Sequence, residues 1–330
     1  MNDSDLIIET TGLSKVYGDT PVVSSLDLVV PRHTIFGFLG PNGAGKTTTM
    51  KMLLGLIRPS AGRAQLFGLD VATDSLAIRR RIGYLPQHPR FYDTMTARET
   101  LRFTAGLFFE GPPAAIEHRV AEMLDLVGLE GRADRPVRGF SGGELQRLGI
   151  AQAQINDPDL LILDEPAAAL DPLGRRDVLA IMERLRERAT IFYSTHILND
   201  VQQISDTVAI LNHGKLLAQQ PIETLLGDDG RAVYALTMRG ETAAVLADLR
   251  ELSWVADIET AAVPARNNGV ASEPSNGQSS WRIRVTELAA AEEQLLRAVL
   301  AHPGVVVTEF RRQRYALEEV FVDLVEGSPT

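Results

Sequence analysis

Residues 35–56 constrain the fold more than any other stretch. The apolar run Ile35-Phe36-Gly37-Phe38-Leu39 reads as a buried strand and opens directly into Gly40-Pro41-Asn42-Gly43-Ala44-Gly45-Lys46-Thr47. The segment from Lys46 to Leu56 is apolar at helical spacing and stops at Gly55, with Pro59 beyond. Strand, glycine-rich turn and helix in this order make a phosphate-binding loop. Its glycines let successive N–H groups turn inward, Lys46 can reach terminal phosphates, and Thr47 offers a hydroxyl to a divalent cation. The phosphates then face a helix N-terminus, where free N–H groups and the helix dipole favour negative charge. An incidental glycine-rich turn is the competing explanation. With only four lysines in the chain, at 15, 46, 51 and 215, it requires one of them to fall by chance at this spacing between a strand and a helix.

Composition narrows what else the chain does. At 330 residues it is long enough for two domains, and 45% apolar with 23% charged residues is ordinary for a globular protein. A net charge of -10 supplies no bulk attraction for nucleic acid or anionic lipid, so no nucleic-acid partner is expected. The absence of cysteine excludes disulfides, thiolate zinc sites and a cysteine nucleophile, and agrees with a reducing compartment. No run of about 18 apolar residues occurs, and the acidic Met1–Asp5 lacks a leader pattern. The expectation is a chain that neither spans a membrane nor enters a secretory route.

Short β-rich segments at Ile7-Ile8, Val22–Val30 and Ile35–Leu39 lead into the loop. From Thr96 the pattern turns helical. Thr96 and Glu99 form a capping box for a helix through Phe109, and Ala114–Val127 forms another that ends at Gly128, giving a helical insertion at about 88–155. Strand signals return at Leu160–Leu163, Thr190–Ser194 and Thr207–Leu211, separated by helices from Leu173 to Arg188 and from Ile197 to Ile204. This alternation is that of a parallel sheet.

Two further motifs carry chemistry. The run Leu160–Leu163 ends in Asp164-Glu165, so a buried strand delivers two carboxylates to one edge of the sheet. Asp164 suits a magnesium ion, and Glu165 suits the water that attacks a γ-phosphate in line. Further back, Ser141-Gly142-Gly143-Glu144 opens a helical run to Ile155. Ser141 and Glu144 by themselves make a plain capping box. The two glycines weaken a helix start by roughly 1 kcal/mol each unless bare backbone must approach something closely.

With these residues in view, the sequence resembles the ATP-binding subunits of ABC transporters: the phosphate loop, the Ser141–Glu144 signature and the Asp164-Glu165 pair follow in that family's order. The resemblance covers about two thirds of the chain and implies an α/β P-loop NTPase cassette of ABC type, with an N-terminal antiparallel β-subdomain and a helical insertion. It implies ATP and Mg2+ as ligands, with ATP held by Gly40, Pro41, Asn42, Gly43, Ala44, Gly45, Lys46, Thr47 and Thr48. Tyr17 is placed like the aromatic that stacks on adenine. Thr47, Gln87 and Asp164 match the magnesium positions, and Glu165, His196 and Gln87 the hydrolytic ones. Ser141, Gly142, Gly143, Glu144 and Asp171 would address the nucleotide of a second copy, or of a homologous ATPase subunit, in a head-to-tail dimer. Plain alternatives stand beside these: Tyr17 as packing, Gln87 as a surface amide, Asp171 before Pro172 as an N-cap, and His196 as a cap for the helix from Ile197. After Pro166 the family commonly carries a glycine- and hydroxyl-containing trio, where this chain has Ala167-Ala168-Ala169. That departure bears on rate and on communication between sites rather than on nucleotide binding.

Residues 1–220 are expected to hold the cassette and 221–330 a smaller accessory domain. The latter reads strand, helix, strand, strand, helix, strand and a last helix from Leu317 to Val325, the order of a ferredoxin-like α+β sandwich. Its segment Pro264–Ser280, rich in Asn, Gly, Ser and Pro, is expected to be a flexible insertion. The ending Tyr315–Phe321 resembles a closing motif of ATPase subunits in drug-exporter-type systems, whose membrane permeases are separate chains. The resemblance thus implies a location on the cytoplasmic face of the membrane through that permease, and favours export. An importer-type ATPase and a non-transport ATP-binding regulatory module remain open at this point.

Overall fold

The structure, a computed structural model, describes residues 5–226, 232–261, 278–313 and 317–326. The chain divides into two compact units, Met1–Ile222 with Phe321–Thr330, and Glu223–Val320. Of the closing helix Leu317–Glu326, residues 317–320 fall in the second unit and 321–326 in the first.

The first unit is built on a six-stranded sheet in the order Lys215–Pro221, Thr207–Asn212, Ile35–Leu39, Thr190–Thr195, Leu160–Asp164, Ile82–Leu85. All neighbours run parallel except the edge strand Lys215–Pro221, which returns antiparallel from Thr207–Asn212. Both faces of a parallel sheet must be covered, so its central strands are buried throughout: Ile35–Leu39, Leu160–Asp164 and Thr190–Thr195 are buried at every position, with polar residues only at strand ends. Phe192 packs between Phe36 and Phe38, with ring centroids 5.6 and 5.3 Å away. Register levels the chemistry. Leu39 pairs with Thr195 and Asp164 with Ser194, so the loop, the acidic pair and His196 all leave the sheet at its carboxyl edge.

A second, antiparallel sheet joins Thr20–Leu26, Leu6–Tyr17, Ala61–Leu66 and Leu69–Asp70 in that order, with Val29–Pro31 also on Leu6–Tyr17. The expected single strand from Val22 to Val30 is therefore two, because Asp27 leaves the ladder to accept the Gly12 N–H at 2.6 Å. The sequence reading places no strand at Ala61–Leu66, Ile82–Leu85 or Lys215–Pro221: the first is polar at alternate positions, the second has four residues, and the third is an edge strand with no fully buried position.

The helical insertion consists of Ala97–Ala105, Pro113–Leu126 and Gly142–Gln154. Thr96 makes the expected capping box with Glu99, and the first helix ends four residues before Phe109. Gly142–Gln154 lies so close to the strand Ile82–Leu85 that a Cβ on Gly83 would stand 2.0 Å from the Ala153 carbonyl oxygen. This contact ties the helix that Ser141 opens to the core sheet.

The second unit holds a four-stranded antiparallel sheet, Val255–Ala261, Gln278–Val285, Ala232–Arg239, Val306–Gln313, with helices Ala243–Arg250 and Leu288–Leu300. In chain order the strands lie 2-3-1-4, the ferredoxin-like arrangement. Leu236, Trp281, Ile283, Val245, Leu249 and Leu295 centre its core. Of the expected flexible insertion, residues 264–277 lie outside the described residues. Residues 278–280 are strand, since Ser279 and Ser280 pair with Met238 and Thr237, so the segment expected to stay irregular ends earlier.

Tyr234 in this core stacks on Phe310 with centroids 5.2 Å apart, but its buried hydroxyl has no hydrogen-bond partner among the described residues. Tyr234→Phe removes an unsatisfied polar atom and keeps the ring. We expect stability unchanged or raised by up to about 1 kcal/mol in urea unfolding; a loss above about 2 kcal/mol would show that the hydroxyl is satisfied in solution.

Candidate active site

The loop from Gly40 to Gly45 wraps the N-terminus of the helix Lys46–Leu53. Gly45 has φ 106°, and a Cβ there would stand 2.7 Å from the Val22 carbonyl oxygen, so only glycine fits. A cleft of about 330 Å³ opens over the loop, lined by Val22, Pro41 to Thr48, Gln87 and Glu165. The loop, the acidic strand and the segment after Ile82–Leu85, distant in sequence, thus share one cavity.

Lys46 is buried. Its Nζ donates to the Gly40 carbonyl at 2.6 Å and lies 3.2 Å from Glu165 Oε1. The other carboxylate oxygen of Glu165 is 2.9 Å from His196 Nδ1. His196 therefore does not cap the following helix, whose N-cap is Ile197 without a side-chain bond. Glu165 itself has φ 52°, the left-handed region that a non-glycine residue enters at a cost of about 1–3 kcal/mol and that clusters at functional sites.

Asp164 is buried and does not line the cleft. Ser194 donates its hydroxyl to Asp164 Oδ1 at 2.6 Å and accepts the Glu165 N–H at 2.9 Å, so one serine orients both acids. Burial, with Asp164 nearby, pushes the Tyr84 phenol up to about 12, keeping it neutral. Gln146 donates to the Glu165 carbonyl at 3.4 Å. Sequence reasoning gave Ser194 and Gln146 no role; their contacts depend on which elements pack side by side.

The remaining expected residues stand away from this cleft. Ser141 and Glu144 form the reciprocal capping box, with the Glu144 N–H on Ser141 Oγ at 3.3 Å and the Ser141 N–H on Glu144 Oε2 at 2.8 Å. Arg132 adds an ion pair to Glu144 at 2.8 Å. Burial opposes the charged form of Glu144, but these partners outweigh it and hold the carboxyl below its ordinary value. Among the described residues a Cβ on Gly142 would meet nothing within 4 Å, so no packing among them demands a glycine there. Asp171 accepts the Gly174 N–H at 2.9 Å, the N-cap geometry. Tyr17 is exposed, with Lys15 Nζ 4.9 Å from its ring centroid. In the altered trio, Ala169 has φ 59°.

Residues 23–168 match the ABC transporter family. The chain is 44% identical over 221 residues to the bacitracin transport ATP-binding protein BcrA of Bacillus licheniformis, a span covering 66% of this chain and 71% of that one. The chain belongs to the ABC transporter ATP-binding proteins. ATP is therefore its nucleotide and ATP hydrolysis its reaction. Other ABC relatives include the uncharacterized ATP-binding protein YxlF of Bacillus subtilis, 34% identical over 97% of this chain and 100% of that one. The Nod factor export ATP-binding protein I of Ralstonia nicotianae is 40% identical over 68% and 70%. Among solved structures, an ATP-binding subunit of an ABC transporter superposes with a TM-score of 0.61 at 32% identity, covering 68% of this chain and 93% of that one.

Removing the Ser194 hydroxyl strips a bond to a buried carboxylate. Ser194→Ala should cost about 2–3 kcal/mol in urea unfolding, and a loss below about 0.5 kcal/mol would mean the two acids are oriented otherwise. Glycine at 169 relieves the left-handed strain, so Ala169→Gly should raise stability by at most about 1 kcal/mol. A lower thermal midpoint would contradict this.

Proposed function

We propose that Glu165 orients and deprotonates the attacking water, that His196 holds Glu165 in place, and that the loop Gly40–Thr48 with Lys46 carries the triphosphate. The observation that carries this reading is the convergence of Lys46 and His196 on the two carboxylate oxygens of Glu165, at 3.2 and 2.9 Å beside the loop cleft. Without nucleotide, Glu165 supplies the negative charge that Lys46 faces. Phosphate oxygens arriving in the cleft compete for that ammonium and release Glu165 for the water.

Thr47 and Gln87 on the cleft wall offer a hydroxyl and an amide oxygen, hard ligands that suit magnesium, and Asp164, buried behind the cleft with one oxygen on Ser194, would act on the ion through water. Among the described residues no group of three or more His, Asp or Glu gathers into a protein cage, so phosphate oxygens would complete the shell. When bound, the ion neutralises charge developing on the phosphoryl oxygens.

Ser141 to Glu144 and Asp171 lie off the cleft, and the open backbone at Gly142 supports their use on the nucleotide of a second copy, or of a homologous subunit, across a head-to-tail dimer. Tyr17 would stack on the adenine. Among the described residues no helix is long and apolar enough to cross a membrane; on this reading integral-membrane permease subunits would supply the transport path and hold the chain at the cytoplasmic face. On this reading residues 1–220 are the hydrolytic cassette and residues 223–320 an appended domain. The export protein among the relatives and the ending Tyr315–Phe321, of which 315 and 316 lie outside the described residues, favour export.

Phosphate release with Mg-ATP should rise in specific activity with protein concentration and fall by at least about a hundredfold in Glu165→Gln. Lys46→Ala should lose tight ATP binding, whereas Glu165→Gln should bind ATP and accumulate as a dimer. A monomeric Glu165→Gln protein at saturating ATP would refute the sandwich.

A further inference from the structure

Asp200 is 1% exposed and has no part in the chemistry above. It lies in the first turn of the helix Leu198–Ile204, four residues beyond His196. Its Oδ1 accepts the Arg175 Nε–H at 2.5 Å. Arg175 belongs to the first turns of the helix Pro172–Leu185, and its own N–H donates to the Asp171 carbonyl at 2.9 Å. The turn that carries His196 is closed locally as well. The Ile197 N–H donates to Thr195 Oγ1 at 3.0 Å, and the Asp200 N–H to the Ile197 carbonyl at 3.2 Å.

A buried ion pair adds little net stability compared with apolar residues of the same volume, because both charges must be desolvated. Stability alone is therefore a poor explanation for an aspartate placed here. Burial pushes its carboxyl up, Arg175 opposes that, and the charges of Glu165 and His196 also act on it, so Asp200 lies within electrostatic reach of the hydrolytic pair.

We propose that Arg175 and Asp200 are positioning residues: their ion pair anchors the turn of residues 195–200 to the helix that Asp171 caps, and thereby keeps the His196 imidazole on Glu165. The pair connects two segments that leave the sheet edge separately, so a displacement of the Asp171 turn is transmitted to His196. The proposal rests on the roles given to Glu165 and His196 above.

Two measurements on the full chain test it. The imidazole nitrogen shifts of His196, assigned with His196→Asn, are recorded in nucleotide-free wild type, Asp200→Asn and Arg175→Ala; kcat and KM for ATP are measured on the same proteins. In both variants the Nδ1 signature of the Glu165 bond should weaken, with kcat down roughly tenfold and KM within about twofold. The neutral pair Arg175→Gln with Asp200→Asn, able to restore an amide hydrogen bond, should recover part of the loss. Should Asp200→Asn fail to fold, Arg175→Ala, at the more exposed end, decides. Unchanged His196 shifts and kcat in a folded variant would overturn the proposal, as would a loss lying wholly in KM. If wild type releases no phosphate, the hydrolytic reading fails, while the His196 shifts still report whether the tie exists.

Discussion

Glu165 is the residue on which the site depends. Its side chain joins Lys46 from the loop helix to His196 from the neighbouring strand, its N–H donates to Ser194, and its carbonyl accepts from Gln146 of the helix opened by Ser141. Three segments far apart in sequence are thus referred to one residue. The left-handed backbone of Glu165 is held against its local preference by these bonds, since about 1–3 kcal/mol of strain persists only where the surroundings over-determine it. A charged side chain is tolerated at 4% exposure because a cation stands against one oxygen and an imidazole against the other.

The parallel sheet makes this possible. Adjacent strands paired Leu39 to Thr195 and Asp164 to Ser194 present their following residues at one edge within hydrogen-bonding reach. A one-residue slip would turn Ser194 away from Asp164 and move His196 off Glu165, and the buried strands resist that slip through the packing of Phe36, Phe38 and Phe192. The bulk of the apolar core therefore determines the placement of a few polar atoms.

The helical insertion works differently. Its contact with the core runs through Gly83 against Ala153, where two backbones meet without a side chain between them, and through Gln146 to Glu165. The helix that opens at Ser141 is consequently linked to Glu165 of its own chain, while among the described residues nothing closes on the Gly142 backbone at its start.

Local sequence determined much of this. The loop, the capping boxes at Thr96 and Ser141, the apolar strands and the ferredoxin-like order of the second unit follow from glycine placement, side-chain capping and hydrophobic period, which act over a few residues. Only the tertiary structure decided that His196 bonds Glu165 instead of capping its helix, that Ser194 orients both acids, and that Asp200 pairs with Arg175. It also decided that Ser279 and Ser280 continue a strand, since Met238 and Thr237 stand beside them. Those outcomes depend on which strands are neighbours and in what register, a property of the packed core that no local window contains.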